Sequence, residues 1–336
     1  MSSNYFSIYE IYCKAAELYL NKVLNIRHFL TNCIYNSTKG GESVRKLNFT
    51  VTAEYSGRPL LHFLRGGAKL STRIVATLRH TENSVLVNGT PTRLVDKVCE
   101  GDEIAVFIPE KTEPPQLFEM ELEIIYEDDD LLVVNKPSGI SVHPTYNHPN
   151  GTLSNAVANY LIKNGGTPSA ARAVGRLDKV TSGVIIFAKH SVAASLLNGE
   201  LDKTYYAVVH GALSGCGTVN APIYRPDSTK TLRAVGEGGD EAVTHWQAVK
   251  NCGDFTLVKI KTETGRTHQI RVHLAYIGHP LAGDEMYGGT CVGSINRAAL
   301  HCAEISITHP VTKEALTFEA PMPEDMQSFN KPQKNS

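Results

Sequence analysis

A polar turn followed at once by a fully apolar run constrains this chain more than any other stretch. Residues 175–183 read Gly-Arg-Leu-Asp-Lys-Val-Thr-Ser-Gly, and residues 184–188 read Val-Ile-Ile-Phe-Ala. A short apolar run with β-branched residues, bounded by turn residues, is typical of a buried strand. The pattern predicts a strand from residue 184, with Asp178 in the loop before it. A carboxylate there, two residues from Arg176, suits an active-site loop, and an ordinary surface Asp is the alternative.

The size and composition of the chain favour a two-domain protein of ordinary type. Its 336 residues exceed one average domain, and 42% of them are apolar and 20% charged. The net charge of −1 is low for a dedicated nucleic-acid binder. The seven cysteines form no C-x-x-C pair, which argues against a zinc site or disulfide framework and fits a reducing cytosol. No run of about 18 apolar residues occurs, so no membrane span is predicted.

Residues 1–45 carry few structural signals, and we interpret them as a loosely attached extension of unclear role. Five residues at helical spacing allow an amphipathic helix there: Ile8, Ile11, Ala15, Leu18 and Tyr19. A docking helix is the alternative interpretation. Gly40 and Gly41 mark the predicted boundary with the next segment.

Residues 46–110 have the pattern of a small separate module. An apolar run over residues 60–64 predicts a short helix, and Ser71 or Thr72 can cap a second one. Residues 85–89 predict a strand that enters an Asn-Gly hairpin turn, and residues 104–108 predict another strand. Between positions 58 and 97 the chain has seven basic and two acidic residues, which leaves a charge of +5. A phosphate-contacting surface needs such a local excess, although an ordinary solvated face can also carry it.

Two helices followed by this hairpin, with Leu-Val-Asn-Gly at 86–89 and Gly-Asp at 101–102, resemble the S4 RNA-binding domain. The resemblance implies RNA contacts by four basic residues of the module: Arg65, Lys69, Arg73 and Arg79. Residues 111–121, where prolines lie among charges, suit a linker.

The remainder of the chain predicts one larger domain over residues 122–322 and a polar, frayed tail over 323–336. Strands are predicted near residues 122–126, 131–135, 203–209, 244–249 and 255–260. Thr152 can cap one helix, a short helix follows near residues 193–201, and Ile270, Leu274 and Ile277 recur at the spacing of another. His268 and Arg271, three residues apart, are expected on neighbouring faces of that last helix.

Four separated blocks resemble the RluA-type pseudouridine synthases and occur in that family's order. They read N-K-P-S-G at 135–139, R-L-D-K-V-T-S-G at 176–183, K-T-Y-Y-A at 203–207 and T-G-R-T-H-Q-I-R-V-H at 264–273. With the S4-like module, the resemblance spans residues 46–322. One position departs from the family pattern, since Gly175 stands where a histidine is usual.

The resemblance implies an α+β fold, with a pseudouridine synthase domain built on a large, mainly antiparallel sheet and a small S4-like domain beside it. It implies isomerisation of uridine to pseudouridine within RNA, with no cofactor and no metal. The implied catalytic residues are Asp178, Tyr205 and Arg271, with Arg271 paired to Asp178. The implied RNA contacts in this domain are Arg176, Arg225 and Arg233.

Several alternatives stay open at this point. Asp178 can attack C1′ of the ribose or remove a proton from C2′, and the sequence does not choose. A silent RNA-binding or ribosome-assembly protein would also keep the fold. A hydrolase commonly needs a second carboxylate, for which Asp284 is the one competitor, and we interpret Asp284 as structural. Ribosomal RNA is favoured over tRNA as substrate, and a cytoplasmic monomer is expected.

Overall fold

The computed structural model describes residues 33–39, 42–109, 116–144, 150–165, 171–197 and 199–330. The chain divides into two units, Met1–Thr112 and Glu113–Ser336. The helix predicted around Ile8 to Tyr19 lies outside the described residues, as do residues 331–336. In the described residues, no helix combines the length and the apolar character that crossing a membrane requires.

The first unit is an antiparallel sheet of five strands with short helices. The strands are β1 (Cys33–Lys39), β2 (Glu42–Thr50), β3 (Val85–Val87), β4 (Thr90–Pro91) and β5 (Glu103–Pro109). Their order in the sheet is β1-β2-β5-β3-β4. The helices are α1 (Leu60–His62), which continues as a π-helical turn Phe63–Gly67, and α2 (Thr72–His80), and a 3-10 turn covers Ala53–Tyr55.

A capping hydrogen bond explains where α2 begins, and left-handed backbone conformations explain the turn between β3 and β4. Ser71 caps α2, because its hydroxyl accepts a hydrogen bond from the Ile74 amide at 3.3 Å. Asn88 and Gly89 have φ values of 50° and 80°, the left-handed conformations that a tight hairpin turn between β3 and β4 requires. Helix α2 and the hairpin formed by β3 and β4 are therefore confirmed as predicted.

The predicted extension over residues 1–45 is wrong for its last part. Strand β1 pairs with β2 from Cys33 opposite Leu47 to Lys39 opposite Glu42. Strand β2 in turn pairs with β5. Residues 33–39 and 42–45 thus belong to the sheet of the first unit, because backbone pairing with the free edge of β2 recruits β1.

The second unit is built on a ten-stranded sheet. Its strands are β6 (Glu123–Glu127), β7 (Leu131–Lys136), β8 (Arg172–Val174), β9 (Ser182–Ala188), β10 (Asp202–His210), β11 (Cys216–Asn220), β14 (Val243–Asn251), β15 (Phe255–Thr262), β16 (Leu300–Thr308) and β17 (Ala315–Glu319). The order is β11-β14-β15-β10-β16-β9-β7-β6, with β17 on β16 and β8 on β9. A separate pair joins β12 (Ile223–Tyr224) to β13 (Ala234–Val235).

In the described residues of the second unit, four helices and a 3-10 turn accompany the sheet. They are α3 (Leu153–Lys163), α4 (Ser191–Leu197), α5 (Gln269–Tyr276), α6 (Glu324–Asn330) and the turn Glu285–Tyr287. Helix α3 begins with a reciprocal cap between Thr152 and Asn155, as the position of Thr152 predicts. The α+β class with a large, mainly antiparallel sheet is confirmed, since β9 with β16 is the parallel pair among the named strands.

Two boundaries differ from the sequence-based expectation. Helix α4 covers Ser191–Leu197 rather than residues 193–201. The tail predicted to fray from residue 323 instead forms α6, which buries Met326 completely. The Asp325 carboxylate on the same helix accepts a hydrogen bond from Arg297 Nε at 2.7 Å. Phe329 of the same helix packs edge-on against Phe255, with the ring centres 6.0 Å apart, so two apolar side chains and an ion pair dock this short helix.

Candidate active site

Asp178 lies in the loop between β8 and β9, at the mouth of the most buried strand of the sheet. All seven residues of β9 are buried. Gly183, the second residue of that strand, has φ 114°, and a Cβ on it would overlap the backbone carbonyl oxygen of Cys302 in β16. Only glycine therefore allows β16 to pair this closely where the Asp178 loop enters the sheet.

The backbone just after Asp178 is held by a neighbouring turn. Lys179 O accepts hydrogen bonds from Gly139 N at 2.8 Å and from Lys136 Nζ at 3.2 Å. Val180 O accepts from Ser138 Oγ at 2.8 Å and from Arg297 Nη1 at 3.1 Å. These bonds give the N-K-P-S-G block a physical role, which is to hold the Asp178 loop.

Lys136 reaches the loop from a fully buried position. Burial lowers the pKa of Lys136 to about 7, the charge of Arg297 lowers it as well, and Asp178 acts in the opposite direction. Its Nζ also donates to Pro137 O at 2.8 Å. The ammonium is thus satisfied by backbone carbonyls rather than by a carboxylate.

Two guanidinium groups flank the Asp178 carboxylate, whose side chain is 14% exposed. Arg176 Nη2 lies 3.3 Å from Oδ1, and Arg271 Nη1 lies 3.9 Å from Oδ2. Arg176 is about half exposed and also donates to Thr267 Oγ1 at 2.9 Å. The carboxylate therefore lies at the edge of solvent, with a positively charged guanidinium on each side.

The predicted pairing of Arg271 with Asp178 is the weaker of its two contacts. Arg271 donates from Nε and Nη2 to both oxygens of Asp284, at 2.7 and 2.6 Å, and Asp284 is 2% exposed. The guanidinium also lies 5.0 Å from the centre of the Tyr287 ring. Asp284 thus positions Arg271. This contact supports the interpretation of Asp284 as a structural residue, and its partner was not predicted from the sequence.

Tyr205 lies on β10, opposite Ile260 of β15 and Cys302 of β16. It is 8% exposed and lines the same cleft as Asp178. Burial raises the pKa of Tyr205 well above its usual value, and the nearby Cys302 and Asp178 raise it further. The phenol therefore stays protonated, able to stack on a base and to donate a hydrogen bond.

His268 lies in the cleft, but the prediction that it lies on helix α5 is wrong. It precedes α5 with φ 58°, so it does not share a helical face with Arg271. Its Nδ1 lies 2.9 Å from the Tyr287 hydroxyl. Burial lowers the pKa of His268 to about 4, with Asp178 opposing this and Arg271 adding to it, so the ring is neutral near pH 7.

Asp178, Tyr205 and His268 line one cleft of about 260 Å³ in the second unit. It brings together all three predicted catalytic residues, Asp178, Tyr205 and Arg271, together with Arg176. Gln269 joins its walls, because its side-chain amide bonds to Thr264, Arg266, Val243 and Thr244. A single carboxylate between two guanidiniums, beside a buried tyrosine, can act as a nucleophile or a base.

Arg225 and Arg233 line a second, shallower cleft of about 460 Å³. Arg225 Nε donates to Lys230 O at 2.8 Å, and Arg233 Nη1 donates to Thr231 O at 2.8 Å. Arg266, which the sequence analysis did not single out, contributes to both clefts and donates to Glu241 O at 2.9 Å. Arg266 belongs to the T-G-R-T-H-Q block at residues 264–269, and that block could have identified it from the sequence.

The four predicted RNA contacts of the first unit are all exposed. Arg73 and Arg79 project from α2, and no hydrogen bond or ion pair joins their side chains to another described residue. Arg65 Nη2 donates to Thr72 Oγ1 at 3.2 Å, and Lys69 has φ 51°. Arg93, by contrast, is neutralised by Asp96 at 2.8 Å.

Asp128, Asp130 and His309 form the group of described residues with metal-like spacing. Each is engaged already, since Asp128 accepts from Tyr126 at 2.7 Å and contacts His309 Nε2 at 3.0 Å. Asp130 contacts His190 Nε2 at 2.6 Å. These contacts account for the cluster as a hydrogen-bonded support for the turn between β6 and β7.

Comparisons with a family model, with individual protein sequences and with solved structures agree with one another. A family model described as RNA pseudouridylate synthase matches residues 130–276. The chain is 40% identical over 292 residues to a Bacillus subtilis (strain 168) protein named "Uncharacterized RNA pseudouridine synthase YlyB", covering 84% of this chain and 96% of that one. It is 38% identical over 251 residues to the ribosomal large subunit pseudouridine synthase D of Haemophilus influenzae, covering 68% and 76%.

A solved structure titled Human RNA Pseudouridylate Synthase Domain Containing 4 shares the fold. It aligns with a TM-score of 0.50 and 23% identity, over 62% of this chain and 93% of that chain.

Proposed function

Because this chain belongs to the RNA pseudouridine synthase family and is an RNA pseudouridine synthase, we propose that it isomerises particular uridines of ribosomal RNA with Asp178 as the catalytic carboxylate. One observation carries the proposal. The Asp178 carboxylate lies between the guanidinium groups of Arg176 and Arg271, in the same cleft as Tyr205. A silent RNA-binding protein would have no need to keep this set together.

The reaction exchanges one bond of the nucleoside for another. The bond between C1′ and N1 breaks, the uracil turns, and a bond forms between C1′ and C5. The C5 proton leaves, N1 gains a proton, and no oxidant or external group is consumed. Asp178 either attacks C1′, to form an ester that the turned base displaces, or removes the C2′ proton to give a glycal that is later reprotonated.

Arg271 and Tyr205 have supporting roles in this scheme. Arg271, fixed by Asp284, stabilises the carboxylate where charge changes during the reaction. Tyr205 stacks on the uracil while it turns. The target base must leave its stack, which costs a few kcal/mol, and the exposed Arg176 at the rim fills the space that it vacates.

The remaining predicted basic residues serve the grip on RNA. Arg225 and Arg233 line the neighbouring cleft, where they contact the strand on one side of the target uridine. In the first unit, Arg65, Lys69, Arg73 and Arg79 contact phosphates, in keeping with the S4-like pattern of residues 46–110. Large-subunit ribosomal RNA is the preferred substrate because one relative is named for it, and tRNA is the alternative. We further propose that the protein acts as a monomer in the cytoplasm.

The test is a map of pseudouridines in cellular RNA. Cells that lack the protein are compared with cells that carry it and with cells that carry Asp178→Asn, which keeps the size of the side chain and removes the anion. We expect specific ribosomal positions to lose pseudouridine in the first and third strains alone. Substantial conversion by a folded Asp178→Asn variant would rule out the carboxylate, and unchanged ribosomal RNA with altered tRNA would reassign the substrate.

A further inference from the structure

Lys203 is a cation in the catalytic cleft that the scheme above does not use. It lies two residues before Tyr205 on β10, and alternate residues of a strand share one face of the sheet. It lines the cleft together with Asp178 and Tyr205. Its Nζ lies 3.0 Å from the point that a Cβ on Gly175 would occupy, so the ammonium fills the space above the loop that carries Asp178.

The ammonium of Lys203 has no hydrogen bond or ion pair to any residue that the structure describes. The anions around it are already engaged: Asp178 by Arg176 and Arg271, and Glu263 by His245 at 2.8 Å. The nearby Cys302 thiol does not neutralise it, because burial raises the pKa of Cys302 to about 12. Burial also lowers the pKa of Lys203 itself, which records the cost of holding this charge without a partner.

An ammonium has three donors and no acceptor, so its missing partner must be an acceptor and is best an anion. The substrate under the proposed function carries one negative charge at every linkage. We propose that Lys203 binds a backbone phosphate of the RNA strand beside the target uridine, and so sets the position of that nucleotide over Asp178 and Tyr205. This inference rests on RNA being the substrate of the cleft.

Gly175 is the feature that makes room for this contact. A side chain at residue 175 would meet the Lys203 ammonium at 3.0 Å and Leu201 Cδ1 at 3.3 Å. Because residue 175 is a glycine, the Lys203 side chain extends from β10 into the space beside the Asp178 loop. The proposed contact with the phosphate therefore comes from β10.

The experiment couples a protein change to an RNA change. The probe is the shortest hairpin of large-subunit ribosomal RNA that the wild-type protein binds, made as a set in which each linkage near the loop uridines is in turn a neutral methylphosphonate. Lys203→Met is compared with Lys259→Met, a matched control, because Lys259 pairs across the strands with Tyr206 and so faces the opposite side of the sheet. Thermal unfolding checks that both variants are folded.

We expect Lys203→Met to weaken binding of the unmodified hairpin about tenfold, the effect of one charge-assisted hydrogen bond. Lys259→Met should leave the affinity unchanged. At one linkage the methylphosphonate should weaken wild-type binding by a similar factor and have no further effect on Lys203→Met. An equal loss for both proteins at every linkage overturns the proposal, as does a folded Lys203→Met that binds normally. Conversion is measured separately, so a hairpin that is bound but not isomerised counts against the proposed function and leaves this comparison intact.

Discussion

Two buried ions determine the geometry around Asp178. Arg271 is bound to Asp284 through both carboxylate oxygens, and its third nitrogen points at Asp178. Lys136 is fully buried and binds the backbone that follows Asp178. Arg271 therefore lies beside the Asp178 carboxylate, and Lys136 holds the backbone of its loop.

Asp284→Asn tests the first of these ions. The change keeps the shape of the side chain but leaves the buried Arg271 charge without its partner, so the free energy of unfolding should fall by about 3 kcal/mol. Turnover should fall with it, because Arg271 is no longer oriented towards Asp178. Asp202→Asn, which removes an exposed pair with Lys261, should cost less than about 1 kcal/mol. Urea unfolding measures both, and normal stability with normal turnover in Asp284→Asn would show that Arg271 does not depend on it.

Lys136 predicts a pH dependence of stability. Burial lowers the pKa of Lys136 from 10.5 to about 7, so between those pH values the unfolded chain holds a proton that the folded protein lacks. The contribution of Lys136 to stability therefore rises with pH over this window, by at most about 1.4 kcal/mol per pH unit. Unfolding free energies from pH 7 to 9 should rise more for the wild type than for Lys136→Met. Exposed Lys261→Met is the control, and parallel curves for wild type and Lys136→Met would contradict the prediction.

Among the strands, the parallel contact of β9 with β16 is what brings the Asp178 loop beside Cys302 and the end of β10. Its register, His301 opposite Ser182 and Cys302 opposite Gly183, leaves no space for a side chain at residue 183. Ser182 Oγ and His301 Nδ1 add a buried contact at 3.0 Å at the same point.

Gly183→Ala should destabilise the protein through both conformation and overlap. Its φ of 114° is unfavourable for alanine, and the new methyl would overlap the Cys302 carbonyl, so we expect a loss of about 3 kcal/mol or more. Gly215→Ala is the matched control, since Gly215 has φ 75° with open space around it and should lose about 1 kcal/mol. Chemical unfolding compares the two, and equal losses would mean that the close strand contact contributes nothing.

The molecule as a whole combines two units that differ in their charge and in the residues that they contribute. The second contains the cleft with Asp178, Tyr205 and Arg271, and the first carries an excess of exposed positive charge on a chain whose net charge is −1. Contacts with phosphates are not specific for sequence, so under the proposed function the first unit adds affinity for RNA and the second performs the reaction.

Replacing Arg73 and Arg79 together with Ala should flatten the dependence of log affinity on log salt by about one to two units. Arg93→Ala is the matched control, because Asp96 already neutralises Arg93 and the slope should hardly change. Turnover at saturating RNA should be kept, since the proposed catalytic residues Asp178, Tyr205 and Arg271 belong to the other unit. RNA-binding titrations at several salt concentrations measure the slope, and an unchanged slope would mean that these arginines do not contact phosphate.

Local patterns along the chain were sufficient for much of the fold. The buried strand after Asp178, the caps at Ser71 and Thr152 and the Asn-Gly hairpin each follow from residues a few positions apart, because burial periodicity, capping and turn geometry act at short range. The motif blocks likewise identified Asp178, Tyr205 and Arg271 as members of one site.

The tertiary structure alone decided which groups meet. The pairing of Arg271 with Asp284, the placement of Lys203 above Gly175 and the docking of α6 through Met326 join segments that come together only in the folded chain. Strand β1 is likewise defined by its backbone pairing with β2, which the local sequence did not predict. Such contacts depend on sheet order, on one parallel crossing and on a loop conformation, none of which is encoded by residues that are neighbours in sequence.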